Sequence, residues 1–281
     1  MEDRYINPFT DFGFKKLFGE EVNKDLLIDF LNQLLQDREQ IVDLTYLKNE
    51  HLGGNPIDRK AIFDLYCENE QGERFIVELQ KAYQRFFIDR SVFYTTFPIQ
   101  EQSRQGDWDF ELKAVYTIAI LDFTFREKPV YSDIFRYDVQ LMDIERKEVF
   151  YDKLKFIYLE MPKFTKTEEE LESHYDKWLY VLKNLPKFQD RPPALQERVF
   201  QRLFEAAEVA QFDAEERRAY QHSMKVYRDF KNVMDTAWME GWEEGKKESI
   251  RTIVLNNELE IPAIALMTGL TEDEIRAIQS E

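Results

Sequence analysis

The sequence predicts an α/β core followed by a helical C-terminal region, and three observations lead to this fold class. Helical and strand-like patterns alternate through the first 160 or so residues, as in α/β domains. From about residue 165 onward the patterns are helical. Hydrophobic residues make up 43% and aromatic residues 15% of the 281-residue chain, which is enough for a sizeable core and excludes wholesale disorder.

Each element of the core follows from a local pattern. Leucine and phenylalanine recur at helical spacing in 14–36, and aromatic residues do so in 83–104, where Pro98 is expected to kink or split the helix. The stretch 52–56, with two glycines and a proline, predicts a loop. Short apolar or alternating runs bounded by turn residues predict strands. These runs are 41–46, 61–68, 75–80, 113–123, 134–142 and 156–160.

The remainder of the chain is predicted to be helical. Thr167 and Glu170 form a capping-box pattern that opens a helix over 165–183, and a proline pair opens the next helix. A long amphipathic helix is expected over 214–247, with tyrosine, methionine and tryptophan along one face. Two short helices around a glycine turn are expected at the end. We therefore predict a core at 1–164, a helical region at 165–248 and a small helical hairpin at 249–281.

Composition excludes several classes of function. One cysteine rules out an intrachain disulfide framework and a cysteine-rich zinc site, and three scattered histidines supply a transition-metal centre poorly. A net charge of −17 argues against a nonspecific polyanion binder, because that affinity comes from Lys and Arg neutralising phosphates. No signal peptide is apparent, and no apolar run approaches the roughly 20 residues of a membrane helix. We expect a soluble cytoplasmic protein with no membrane partner.

The most informative pattern is a pair of acids on a predicted hairpin. If the turn is a three-residue loop with Gly72 in the left-handed position, Asp64 and Glu78 face each other with Cβ atoms about 4.5–5.5 Å apart. A shared proton, a basic side chain or a bound cation would relieve their repulsion, and Mg²⁺ typically uses one or two carboxylates. Gln80 projects from the same face as Glu78 and is a third catalytic candidate, which could orient a water or a phosphate. Two acids on a solvated strand face would give the same pattern, so it leaves both interpretations open.

Further motifs accompany this hairpin. Arg90 and Tyr94 share a face of the helix that follows it, and the other segments are NPFTDFGFKKLFG (7–19), VYTIAILDF (115–123) and WMEGWEEGKKE (238–248). Together with the hairpin at 62–80 they resemble the recombination-promoting nuclease/putative transposase family of the PD-(D/E)XK nuclease superfamily. The resemblance implies a restriction-endonuclease-like mixed sheet flanked by helices. It also implies Mg²⁺-dependent hydrolysis of DNA phosphodiesters, linked to recombination or transposition.

The resemblance assigns roles to particular residues. Asp64, Glu78 and the backbone carbonyl of Leu79 would bind Mg²⁺, with Mn²⁺ as a substitute. Gln80 takes the position where the superfamily name expects Lys, and an amide supplies neither positive charge nor an exchangeable proton. Lys81 is expected to point to the opposite face from Gln80. The accessory candidates are Asp11, with Glu20 as a weaker alternative, Lys15, Lys60, Arg90 and Tyr94.

Each accessory role has a structural alternative. Asp11 and Lys15 lie four residues apart, so they could form a surface ion pair instead of serving a metal and a phosphate. Arg90 and Tyr94 either contact DNA phosphate or cover the sheet. Lys60 lies four residues before Asp64, so on a continuous strand both would point to the same face and Lys60 could approach the site.

A rival hypothesis belongs to another functional class. The core could be a catalytically degenerate nuclease retained as a DNA- or protein-binding module, with homo-oligomers formed through the C-terminal helices. The acidic balance and Gln80 support this rival. The last hairpin has helix-turn-helix spacing, but the acids at 272–274 would repel phosphate where a recognition helix reads bases, so protein contact is the favoured interpretation.

Overall fold

The computed structural model describes residues 3–36, 40–51, 61–103, 109–125 and 134–255, together with residues 261, 271, 272, 275 and 276. The predicted loop at 52–56, Lys60 and most of the predicted C-terminal hairpin lie outside the described residues. Contacts divide the chain into two compact units, Met1–Tyr227 and Arg228–Glu281. The predicted domain boundaries after residues 164 and 248 stay predictions.

The first unit contains a mixed six-stranded sheet of order β1-β4-β5-β6-β8-β7 and a separate pair formed by β2 and β3. The strands are β1 (Leu44–Tyr46), β2 (Glu50–His51), β3 (Ala61–Ile62), β4 (Leu65–Asn69), β5 (Arg74–Gln80), β6 (Val115–Leu121), β7 (Arg136–Asp143) and β8 (Glu148–Glu160). The helices are α1 (Asp11–Phe18), α2 (Lys24–Leu34), α3 (Phe87–Glu101), α4 (His174–Asn184), α5 (Arg198–Ala207) and α6 (Ala214–Leu255). The predicted α/β class, with a mixed sheet and flanking helices, is confirmed.

Strand direction explains where the helices lie. β4 and β5 pair antiparallel through a short turn, whereas β5 pairs parallel with β6 and β6 parallel with β8. Parallel neighbours require a long crossover connection, and α3 lies in the one between β5 and β6. The seven residues of β6 are all buried, as expected of a central strand covered on both faces.

The two faces of the sheet are covered by different helices. On one face, α1, α2, α4 and α5 pack against the strands around Trp178, which is fully buried. Its indole N–H donates to Asp29 Oδ1 at 2.6 Å. On the other face, α3 packs through Phe87, Tyr94 and Phe97. Helices from both sides of residue 165 thus contribute to covering one sheet.

Several predicted boundaries are wrong for identifiable reasons. The helix expected at 14–36 is two helices, because α1 ends at Phe18 with Gly19 as its C-cap and a 3₁₀ turn precedes α2. Pro98 does not split α3, which runs on to Glu101. The capping box of Thr167 and Glu170 is present, but it closes only a 3₁₀ turn. α4 begins later, at its own capping box of Ser173 and Asp176.

The run predicted as one strand at 61–68 is two strands in different sheets. β3 pairs with β2, and the chain bends at Asp64 before β4 joins the main sheet. The short strand expected at 156–160 is the end of the longer β8. Cys67, the one cysteine of the chain, is fully buried.

α6 extends to Leu255, eight residues beyond the predicted end at 247. Gly241 and Gly245 leave the helix unbroken and face open space. The part of α6 in the second unit exposes large apolar side chains, namely Phe230, Val233, Trp238 and Met239. Among the described residues, none of the helices combines the length and apolar content that crossing a membrane requires.

Candidate functional site

The hairpin of β4 and β5 has the predicted register. Tyr66 pairs with Ile76 and Glu68 with Arg74, as a three-residue loop requires. Gly72 has a φ of 81°, a left-handed conformation that glycine adopts without the steric cost of a Cβ. The register prediction within the ladder is therefore confirmed.

Asp64 itself lies outside that ladder. β4 starts at Leu65, so Asp64 is not the paired cross-strand neighbour of Glu78 that the sequence predicts. Two other hydrogen bonds join the acids instead. The backbone N–H of Asp64 donates to Glu78 Oε1 at 3.3 Å, and the backbone N–H of Leu79 donates to Asp64 Oδ2 at 2.7 Å. Each carboxylate therefore accepts from the backbone of the opposite chain segment.

Both carboxyl groups are energetically unfavourable as anions in the absence of a ligand. Glu78 is 5% exposed, and burial, followed by the negative charge of Asp64, raises its pKa to about 8. Burial also raises the pKa of Asp64, against the opposing effect of the Leu79 N–H. Gln80 Nε2 donates to Glu78 Oε2 at 3.3 Å, which favours the ionised form of Glu78.

No described Lys or Arg forms an ion pair with Asp64 or Glu78, although the charges of Lys81 and Arg90 lower the pKa values of Asp64 and Glu78 respectively. A proton or a bound cation would relieve the repulsion further. The described residues contain no group of three or more His, Cys, Asp or Glu placed to hold a metal ion. Two carboxylates and a main-chain carbonyl are nevertheless hard oxygen donors, the type that Mg²⁺ takes, and Mg²⁺ commonly keeps waters as its other ligands. The chemistry of the donor set therefore fits a hard divalent cation.

Asp64 opens onto a cleft of about 670 Å³ between the sheet and helices α1 and α6. Asp11, Lys15 and Glu20 of the N-terminal segment also line this cleft. Lys15 Nζ lies 2.9 Å from Asp11 Oδ1, so the surface ion pair expected as the structural alternative is present. The structure thus brings Asp11 and Lys15 to the Asp64 side of the sheet while pairing them with each other.

Glu78 lies on the opposite face. Side chains alternate along β5, and Ile76, two residues before Glu78, packs in the cluster with Tyr94 of α3. The guanidinium of Arg90 lies over the Tyr94 ring, 5.6 Å from its centroid, and donates to Gln84 Oε1. The positive charge of Arg90 lowers the pKa of Glu78. Arg90 and Tyr94 are therefore neighbours of Glu78 on the α3 side of the sheet, and the charge of Asp64 acts on Tyr94 as well.

Sequence reasoning missed the place of Lys81. It immediately follows β5 and lines the cleft with Asp64, where its charge lowers the pKa of that acid. The sequence predicts that Lys81 points to the opposite face from Gln80, and this excludes Lys81 from the site only if Asp64 shares the face of Glu78. Because the chain bends at Asp64, both residues line the same cleft. His222 and Ser223 of α6 line it as well, and nothing in the local sequence signals this long-range approach.

Comparison with known proteins gives one positive finding. The family model described as PD-(D/E)XK nuclease family transposase matches residues 8–237, a range that contains the sheet, the two acids and the cleft. No curated protein and no solved structure matches the chain. Since the matched range spans most of the 281 residues, the chain belongs to the PD-(D/E)XK nuclease family transposases.

Proposed function

We propose that this protein is a Mg²⁺-dependent DNA endonuclease that acts in recombination or transposition. One observation carries the proposal: reciprocal backbone hydrogen bonds hold Asp64 and Glu78 together, although neither acid is paired with a described basic side chain. Such an arrangement is costly without a ligand and favourable around a divalent cation. Membership of a nuclease family supports the reaction class.

Asp64, Glu78 and the carbonyl of Leu79 are the proposed metal ligands. In an antiparallel ladder the N–H and C=O of one residue point to the same neighbouring strand. Since the Leu79 N–H donates to Asp64, the Leu79 carbonyl is expected on the Asp64 side. Mg²⁺, or Mn²⁺ in its place, would lower the pKa of a bound water and stabilise negative charge on the phosphate.

Gln80 and the α3 residues are proposed to position Glu78. The Gln80 amide donates to the carboxylate and restricts its orientation, which is the role of a second-layer hydrogen bond at a metal site. Arg90 and Tyr94 pack over the face of the sheet that carries Glu78 and shield this carboxylate from water. Arg90 also contributes positive charge near Glu78. On the other face, Asp11 and Lys15 line the route to Asp64.

The acidic balance limits how the protein would bind DNA. With a net charge of −17, few phosphates can be neutralised at once, so we expect weak nonspecific binding. DNA is the proposed partner and the cytoplasm the proposed compartment. The apolar side chains that α6 exposes in the second unit support the further proposal of homo-oligomers.

A plasmid-nicking assay at low salt tests the proposal. Wild-type protein should nick DNA with Mg²⁺ or Mn²⁺, whereas Asp64→Asn and Glu78→Gln should not. Cleavage that survives both substitutions would exclude the assigned site. If the wild type neither cleaves DNA nor binds a divalent ion, the rival function as a degenerate binding and assembly module is favoured, and Gln80 is the observation that supports it.

A further inference from the structure

We infer that the substrate phosphate approaches Asp64 through the cleft on the α1 side of the sheet and that the Lys81 ammonium contacts it there. This inference rests on the proposed nuclease function and adds a direction of approach and a phosphate-contacting residue. The alternative direction is the α3 side, where Arg90 would be the contacting cation.

The α3 side is closed around Glu78. Glu78 is only 5% exposed, and it does not line the cleft. Arg90 lies over the rings of Phe87 and Tyr94, at 5.2 and 5.6 Å from their centroids, and its guanidinium is held by Gln84. A phosphate on this side would have to displace these aromatic contacts before reaching the carboxylate.

The α1 side is open at Asp64. The cleft of about 670 Å³ has room for a nucleotide, and its walls combine apolar side chains such as Leu47 and Val226 with a few polar groups. Asp64 is the member of the acidic pair that lines it. A phosphate in this cleft therefore meets Asp64 without any rearrangement of the α3 helix.

The lysines that line the cleft differ in whether they already form ion pairs with acidic side chains. Lys15 pairs with Asp11 at 2.9 Å. Lys16 pairs with Glu20 at 3.1 Å and with Glu216 at 2.6 Å. Lys81 forms no ion pair with a described residue, and it lines the same cleft as Asp64.

Lys81 is therefore the lysine of this cleft whose contact with a phosphate breaks no existing ion pair in the described ranges. Its ammonium would donate hydrogen bonds to a nonbridging oxygen, so the contact supplies positive charge to the phosphate. Because Lys81 is the lysine of this cleft without an ion pair in the described ranges, its contact with a phosphate should contribute measurably to the affinity for DNA and to the rate of DNA cleavage.

The test compares Lys81→Met, Lys81→Arg and Arg90→Met with Lys187→Met, a matched change of an exposed lysine outside the cleft. DNA binding is measured with a fluorescein-labelled oligonucleotide by anisotropy, in Ca²⁺, from 25 to 200 mM KCl. Cleavage is measured separately in Mg²⁺. Thermal melts of each variant establish that it is folded.

We expect Lys81→Met to reduce the salt slope of binding by about 1 and the cleavage rate by about 10²-fold. Lys81→Arg should retain activity within about tenfold, because it keeps the charge but changes the geometry. Lys187→Met should match the wild type. The inference is overturned if folded Lys81→Met binds with the wild-type slope, or if Arg90→Met alone reduces it.

These outcomes separate the inference from the proposed function. A wild type that cleaves DNA alongside an unchanged Lys81→Met contradicts the Lys81 contact only. A wild type that binds DNA with a Lys81-dependent slope but does not cleave supports the contact and contradicts the nuclease activity. A wild type that binds no DNA contradicts both.

Discussion

The backbone N–H of Asp64 donates to the carboxylate of Glu78 at 3.3 Å, and the Asp64 carboxylate in turn accepts from the residue that follows Glu78. This crossed pair joins the two faces of the sheet. Asp64 opens to the α1 cleft, whereas Glu78 is buried on the α3 side. A cation held by both acids would therefore be bound near the start of β4. Substrate would reach it through the α1 cleft at Asp64, and Glu78 would bind it from the α3 side.

The buried Glu78 should destabilise the metal-free protein at high pH. Its pKa is raised from the ordinary value of 4.5 to about 8, so its favourable contribution is complete below pH 4.5 and is lost as the pH rises through 8. Glu78→Gln should therefore be more stable than the wild type by about 2–4 kcal/mol at pH 9, since a tenfold change in proton affinity corresponds to about 1.4 kcal/mol. The difference should vanish near pH 4.

Urea unfolding in EDTA at pH 4, 7 and 9 measures this difference in the free energy of unfolding. The exposed Glu205→Gln is the matched control and should show no such pH trend. A Glu78→Gln variant that is no more stable at pH 9 than at pH 4, relative to the wild type, would contradict the assignment of Glu78 as a strained, ligand-requiring acid.

Gln80 should matter for metal affinity through its bond to Glu78. Removing the Nε2 donor in Gln80→Ala leaves Glu78 Oε2 without its 3.3 Å partner, and lost outer hydrogen bonds weaken metal binding by about 10–100-fold. Isothermal titration with Mn²⁺ measures the effect. Gln71→Ala, in the exposed turn of the same hairpin, serves as control. Equal Mn²⁺ affinity of Gln80→Ala and the wild type would show that Gln80 does not position the ligand.

Gly13 should be a strict requirement of the N-terminal segment. A Cβ at Gly13 would lie 2.1 Å from the Asn7 carbonyl oxygen and 2.8 Å from Thr10 Oγ1, so the backbone must shift. Gly13→Ala should destabilise the protein by about 1–3 kcal/mol. Gly241→Ala is the control, because no atom lies within 4 Å there and alanine favours helix by about 1 kcal/mol. Thermal melts that rank the two variants in the opposite order would contradict this packing.

The exposed apolar side chains of α6 should support self-association. Val233 is 66% and Trp238 57% exposed, which leaves a large apolar area in contact with water in a single chain. The double variant Val233→Glu/Trp238→Glu should have a lower mass in light scattering than the wild type, with Arg228→Glu as a control on the same helix. An unchanged mass would place any oligomer interface elsewhere.

Local sequence patterns were sufficient for the hairpin but not for the site. Turn length and Gly72 fix the ladder register, because both act within a few residues. The bend at Asp64 depends on β3 pairing with β2, a contact that local alternation does not encode. That bend turns Asp64 and Lys81 to the same cleft, so the parity argument that separated them fails at the strand end.

The helical predictions also separate features that local sequence determines from features that depend on long-range packing. The capping box of Thr167 and Glu170 forms as its sequence predicts, yet the helix starts at His174. A second capping box, formed by Ser173 and Asp176, begins α4 at a position from which Trp178 is buried in the core. Local capping chemistry marks where a helix is permitted to begin, and burial of the large side chains selects among those positions.

Cleavage of supercoiled plasmid in Mg²⁺ by the wild type, Asp64→Asn, Glu78→Gln and the double variant tests the central claim most directly. If both acids hold one cation, each single substitution should reduce the nicking rate by at least about 10²-fold, and the double variant should lose little more, because residues that act as a unit are not additive. Wild-type nicking rates in either single variant, with folding established by thermal melts, would contradict the Asp64–Glu78 site.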